Sequence, residues 1–114
     1  MDTYMNTAMD ALIEAIKADY ANYKVHMTRD SDELSEFSKK MIAEFNESIS
    51  YTVGKKYIKV VKNGSVWGFI VNADNDAKFC RGTVLKAAGW AAPARNFGRG
   101  NVITGNFNAN WTGA

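Results

Sequence analysis

The sequence predicts an α+β fold, with two N-terminal helices packed on one face of an antiparallel sheet of about four or five strands. Three observations lead there. Residues 1–48 carry apolar side chains at three- and four-residue steps, the period of a helix. Residues 55–72 (KKYIKVVKNGSVWGFIVN) place two β-rich runs around Asn63-Gly64, the dipeptide that most readily supplies both positive φ angles of a type I′ turn. The remainder consists of short apolar runs punctuated by glycine and asparagine, a pattern of further strands and turns.

The 114 residues are expected to form one domain, 1–114, with a core of its own. A composition of 46% apolar and 23% charged residues is that of a globular chain and argues against disorder. Cys80 is the only cysteine, which excludes an intramolecular disulfide and a cysteine-based zinc cage within one chain. The N-terminus lacks the basic-then-apolar layout of a secretion signal, and no apolar run reaches membrane-spanning length. The expectation is a soluble, cytoplasmic protein with no membrane role. The net charge of +2 conceals an asymmetry: residues 1–47 hold ten acids and five bases, whereas residues 48–114 hold two acids and nine bases. The split permits two readings: an anionic partner for the basic part (49–114), or attraction between an acidic helical part (1–48) and a basic sheet.

Taking the elements in order, Asp2 or Thr3 can cap a first helix running to about Tyr20, with Tyr4, Ala8, Leu12, Ala15, Ile16 and Tyr20 as its stripe. Asp30 and Glu33 form an acidic capping box for a second helix, whose stripe is Leu34, Phe37, Met41, Phe45 and Ile49. The methionines at these spacings read as core filler. Ile49 to Val53 is expected to be a strand leading through Gly54 into the hairpin. With Asn63-Gly64 as the loop, Lys62 faces Ser65, Val61 faces Val66, Val60 faces Trp67, Lys59 faces Gly68, Ile58 faces Phe69 and Tyr57 faces Ile70. Alternation then places Ile58, Val60, Trp67, Phe69 and Val71 on the covered face, and Tyr57, Lys59, Val61, Val66, Gly68 and Ile70 on the other.

Asn72 to Asp76 resembles the opening of a calcium loop. Its sixth and twelfth positions, however, hold Ala77 and Thr83 where glycine and glutamate are needed, so an Asx-rich turn is expected and no metal. Thr83 to Gly89 is read as a short helix, and Pro93 disfavours helix at Ala92. Asn101–Thr104 and Phe107–Trp111 are read as strands around Gly105-Asn106.

No catalytic constellation emerges, and no cofactor is implied. His26, the only histidine, lies in a segment without a motif. Cys80 beside Phe79 reads as a small buried hydrophobe. The glycines of Arg95–Asn101 (RNFGRGN) fit neither a phosphate-loop nor a dinucleotide pattern. The chain is therefore expected not to be an enzyme. Binding is better supported. Lys55, Tyr57 and Lys59 project from the less apolar hairpin face, with Gly68 leaving space for a flat ring, as on the open sheets that bind single strands. Arg95 and Arg99 flank Phe97 among glycines that let backbone approach a phosphate. The competing structural reading is that Val61, Val66 and Ile70 make this face a second small core. Trp90 and Trp111 offer rings for stacking on bases, but the reading preferred is that they are the hydrophobic anchors of the loop they bracket.

The segment KFCRGTVLKAAGWAAPARNFGRGNV with the distal Trp111-Thr112-Gly113 resembles small proteins of tailed bacteriophages, over roughly residues 55–114. Thr83 stands where that pattern often carries an acid, so no carboxylate role is expected there. The resemblance implies phage origin and action in the host cytoplasm, and no activity or functional residue. Together these readings favour a non-enzymatic protein whose basic part contacts single-stranded nucleic acid through Lys55, Tyr57, Lys59, Arg95 and Arg99. One alternative is an effector that binds a host protein through the acids Asp30, Asp32, Glu33 and Glu36 or the methionine stripe. The other is a homo-oligomeric structural component.

Overall fold

The computed structural model describes residues 3–27 and 36–114, with the backbone alone at 25–27, 37 and 38. The architecture is α+β: helices α1 (Thr3–Met27) and α2 (Glu36–Ser48) precede strands β1 (Ser50–Val53), β2 (Tyr57–Lys62), β3 (Ser65–Val71), β4 (Val84–Leu85), β5 (Gly100–Asn101) and β6 (Asn106–Phe107). The first four strands form one antiparallel sheet in sequence order, and β5 and β6 form a two-stranded one. Helix α1 runs two turns beyond the Tyr20 expected from periodicity. The extension is held by tertiary contacts that local propensity does not register. Tyr20 stacks on Phe45 at 4.1 Å, Tyr20 and Tyr23 each lie 5.0 Å from the Trp111 ring, and the Lys24 ammonium is 5.8 Å from both tyrosine rings. The proposed capping box at Asp30 and Glu33, the acids Asp2 and Asp32, Leu34, and the side chains of His26 and Phe37 lie outside the described residues.

The hairpin forms around Asn63 (φ 48°) and Gly64 (φ 74°), both in the positive region that a type I′ turn requires. Lys62 pairs with Ser65 and Val61 with Val66, as expected. The register then slips: Val60 pairs with Gly68, Lys59 with Phe69, Ile58 with Ile70 and Tyr57 with Val71. Trp67 is the extra residue of a β-bulge, and a bulge reverses the facing of everything beyond it. Ile70 therefore joins Ile58, Val60 and Trp67, while Phe69 and Val71, expected beside them, belong to a separate cluster. The space at Gly68 is also occupied. A Cβ there would lie 2.9 Å from both the Ala114 Cβ and the Leu85 carbonyl oxygen, so no ring can enter.

Residues 83–89 are not helical. Val84 and Leu85 pair with Ile70 and Phe69 along the free edge of β3, and Ala87 bridges to Pro93. Seven residues give a helix too few bonds to offset its nucleation, whereas an open strand edge offers partners at once. The C-terminal strands are also shorter than expected. Gly100 and Asn101 pair with Phe107 and Asn106, which makes Val102–Gly105 the turn, with Gly105 at φ 79°. Cys80 is exposed rather than buried, because it sits at a turn where its carbonyl accepts bonds from Thr83 N and Oγ1 at 3.1 and 2.6 Å.

The main core unites Met5, Met9, Leu12, Ile16 and Tyr20 of α1, Phe45 of α2, and Ile58, Val60, Trp67 and Ile70 of the sheet. Polar bonds close its end: Trp67 Nε1 donates to Asn110 O at 2.6 Å, Ala114 N to Trp67 O at 3.0 Å, and Trp111 N to Asp19 Oδ2 at 2.9 Å. No helix among the described residues is long and apolar enough to cross a membrane.

Candidate binding surface

The second cluster lies on the other side of the bulged hairpin. Phe69, Val71 and Leu85 are buried there, with Tyr57, Val66, Phe79 and Ala87 packed against them. The competing sequence reading expected a second small core here from Val61, Val66 and Ile70; of these only Val66 belongs to it, and Phe69, Val71 and Leu85 are its buried residues. Residues 86–95 fold back beside it as a narrow loop, with Ala94 N donating to Lys86 O at 2.7 Å and Ala88 N to Ala92 O at 3.0 Å.

One ion pair fastens this layer. Arg95 donates from Nη1 to Asp76 Oδ2 (2.9 Å) and Tyr57 Oη (2.6 Å), and from Nη2 to Asp76 Oδ1 (2.8 Å). The Asp76 side chain is only 2% exposed, and its Oδ1 also accepts Lys78 N and Phe79 N at 2.9 Å each. It is thus the Asx turn expected between Asn72 and Asp76. These bonds, led by the one from Arg95, hold the Asp76 carboxyl well below its ordinary value of 3.8, and those from Asp76 and Tyr57 raise the Arg95 guanidinium. The guanidinium lies 5.0 Å from the Phe79 ring centroid, and Lys78 Nζ donates to the Arg95 and Asn96 carbonyls at 2.6 and 3.2 Å.

Beyond the anchored layer, two aromatic rings are left in solvent, each with a cation. Trp90 is 60% exposed and the Lys59 ammonium stands 3.6 Å from its centroid. Phe97 is 57% exposed and the Arg99 guanidinium lies 4.5 Å from its centroid. Such pairs add a modest attraction of about 0.5–1 kcal/mol at exposed sites. The loop that presents Phe97 is held close to the sheet: Arg99 N donates to Val84 O at 2.7 Å, and a Cβ at Gly98 would meet Thr83 Cγ2 at 2.7 Å.

The five sequence-predicted residues fall into three settings. Tyr57 and Arg95 are bonded to each other, with the Tyr57 ring edge-on to Phe69 at 6.0 Å, so the tyrosine is part of the small core rather than an open platform. Lys59 and Arg99 are the cations of the two exposed aromatic pairs. Lys55 is exposed at the β1–β2 turn. Sequence reasoning named neither Asp76 nor Lys56 as a site residue and read Trp90 as an anchor, whereas it is exposed. Trp111 does anchor, packing on Tyr20, Tyr23 and Phe45, but Trp90 does not. Its setting among Ala87, Ala88, Gly89, Ala91, Ala92 and Ala94, with no large apolar partner at strand or helix spacing, was the available signal. Among the described residues no group of three or more His, Cys, Asp or Glu side chains is arranged to hold a metal ion. No protein-family model, curated protein or solved structure matches this chain.

Proposed function

We propose that the protein is a non-enzymatic binder of single-stranded nucleic acid, acting in the cytoplasm of a phage-infected host. The supporting observation is the pair of exposed rings, Trp90 and Phe97, each accompanied by a cation, Lys59 and Arg99. Single-strand binders combine these two elements, since every base offers a face to stack and every linkage a phosphate to neutralise. In this reading the helices cover one face of the sheet, and the loop-bearing face, with Lys59 and Arg99, meets the strand. Tyr57 and Arg95 hold the loop in place.

Fluorescence anisotropy with a labelled single-stranded oligonucleotide tests the reading. Trp90→Ala is expected to weaken binding by about tenfold, within the roughly 1–3 kcal/mol that one stacked base contributes. Affinity should fall steeply with added salt as counterions are released. Binding that ignores salt, or that survives loss of both Trp90 and Phe97, would overturn it. Absence of binding at low salt would direct attention to the rival reading, a host-protein effector using the acidic helices.

A further inference from the structure

A depression of about 510 Å³ lies beside the Asp76–Arg95 pair, lined by Lys55, Lys56, Asn75, Asp76 and Arg95 with two alanines. Three cations there meet one carboxylate, and that carboxylate is engaged by Arg95 and two backbone N–H groups. Lys55 and Lys56 are exposed at its rim, and the Lys56 ammonium reaches over the Tyr57 ring at 5.6 Å. The walls are fixed by bonds independent of any ligand: Asn72 Nδ2 donates to Gly54 O at 2.8 Å, Asn72 N to Lys56 O and Gly54 N to Tyr57 O at 2.9 Å each. Among the described residues, three of the five Arg95 N–H groups serve Asp76 and Tyr57, which leaves two donors.

We infer that this depression is a phosphate-binding subsite, in which Lys55 and Lys56 close over an oxyanion and Arg95 offers its remaining donors. A concave site with cations in excess concentrates its field on a small anion. A carboxylate ligand would use one planar face of donors. A phosphate, with oxygens in three dimensions, matches cations placed on a turn and on a facing loop. Asp76 gives the site its shape and neutralises Arg95, which leaves the charges of Lys55 and Lys56 in excess. The phosphate can be a diester of a bound strand or a free phosphoanhydride. Arg95 lies between Trp90 and Phe97 in the chain, whereas Lys55 and Lys56 stand on the β1–β2 turn, and the subsite deepens the strand-binding reading without depending on it.

The test follows backbone amide shifts of the full chain in NMR while inorganic pyrophosphate is added, with a dinucleotide diester lacking terminal phosphates in a parallel titration. Saturable shifts at Lys55, Lys56, Asn75 and Ala77, weakened about tenfold or more in Lys55→Gln/Lys56→Gln and retained in Trp90→Ala, are expected. Response to pyrophosphate alone would assign a free phosphoanhydride, and response to both would assign the strand's backbone. Shifts that are absent, or equal in the lysine double variant, would overturn the subsite. Oligonucleotide binding that persists in that outcome through Trp90 would leave the strand-binding reading intact. Both lysines are exposed, so the double variant keeps its fold, and an unchanged spectrum away from the turn verifies this.

Discussion

The two sides of the β2–β3 hairpin are built on different physics. On one side Ile58, Val60, Trp67 and Ile70 share a wide apolar cluster with Met5, Leu12, Ile16 and Phe45. On the other a few apolar groups are held under a loop by point interactions centred on Arg95 and Asp76. Area dominates the first, since each buried aliphatic or aromatic side chain contributes roughly 1.5–3 kcal/mol. Geometry dominates the second, where one carboxylate orients an arginine and two backbone amides, and the arginine in turn donates to a tyrosine. The first side therefore tolerates changes of shape better than changes of volume, and the second tolerates neither a lost charge nor a lost donor.

Three measurements press on that contrast. The largest effect belongs to Trp67→Ala, which removes a ring 1% exposed and a bond to Asn110. A loss of about 3–5 kcal/mol in urea unfolding is expected. A loss under 1 kcal/mol would deny the helical side its dominance. The next concerns acid. Because the Asp76 carboxyl is held below its ordinary value in the folded chain, its contribution is complete above about pH 5. It is lost progressively as pH falls through about 4 and below, where the unfolded chain takes up the proton first. The urea midpoint of the native chain should drop across that window, whereas Asp76→Asn should start lower at pH 7, fall less steeply and approach the native chain near pH 2. Parallel profiles would remove Asp76 from its organising place. The smallest effect is Lys59→Gln, where about 0.5–1 kcal/mol of cation–ring attraction disappears with no change in the fold. A larger loss would mean that the Trp90 loop depends on Lys59 for its position.

The same contrast explains what could be read from the chain. The helical stripe of α1 and the hairpin were legible because each rests on local signals, a 3.6-residue period and a dipeptide suited to two positive φ angles. Strand β4 was not, because Thr83-Val84-Leu85 pairs only in answer to the open edge of β3. The bulge left one trace, Gly68 inside a strand, and a glycine in that position marks a bulge as readily as free space. For the candidate surface, the identity of the cations was legible and their bonding was not. Arg95 finds Asp76 nineteen positions away, and no spacing rule connects them. The exposure of Trp90 follows from a loop whose neighbours are too small to cover an indole.

The bond from Trp111 N to Asp19 ties together residues 92 positions apart. During synthesis, the aromatic end of the main core therefore waits until that late segment has left the ribosome. In the interval Tyr20 and Phe45 lack the indole that later borders them, and the hairpin bulge lacks the residues that latch it. Contacts of such separation slow folding, because the chain must close a long loop before they repay it. A nascent chain stalled shortly before Trp111 would hold the residues of both helices and the hairpin, with Tyr20, Tyr23 and Phe45 still without the ring that borders them.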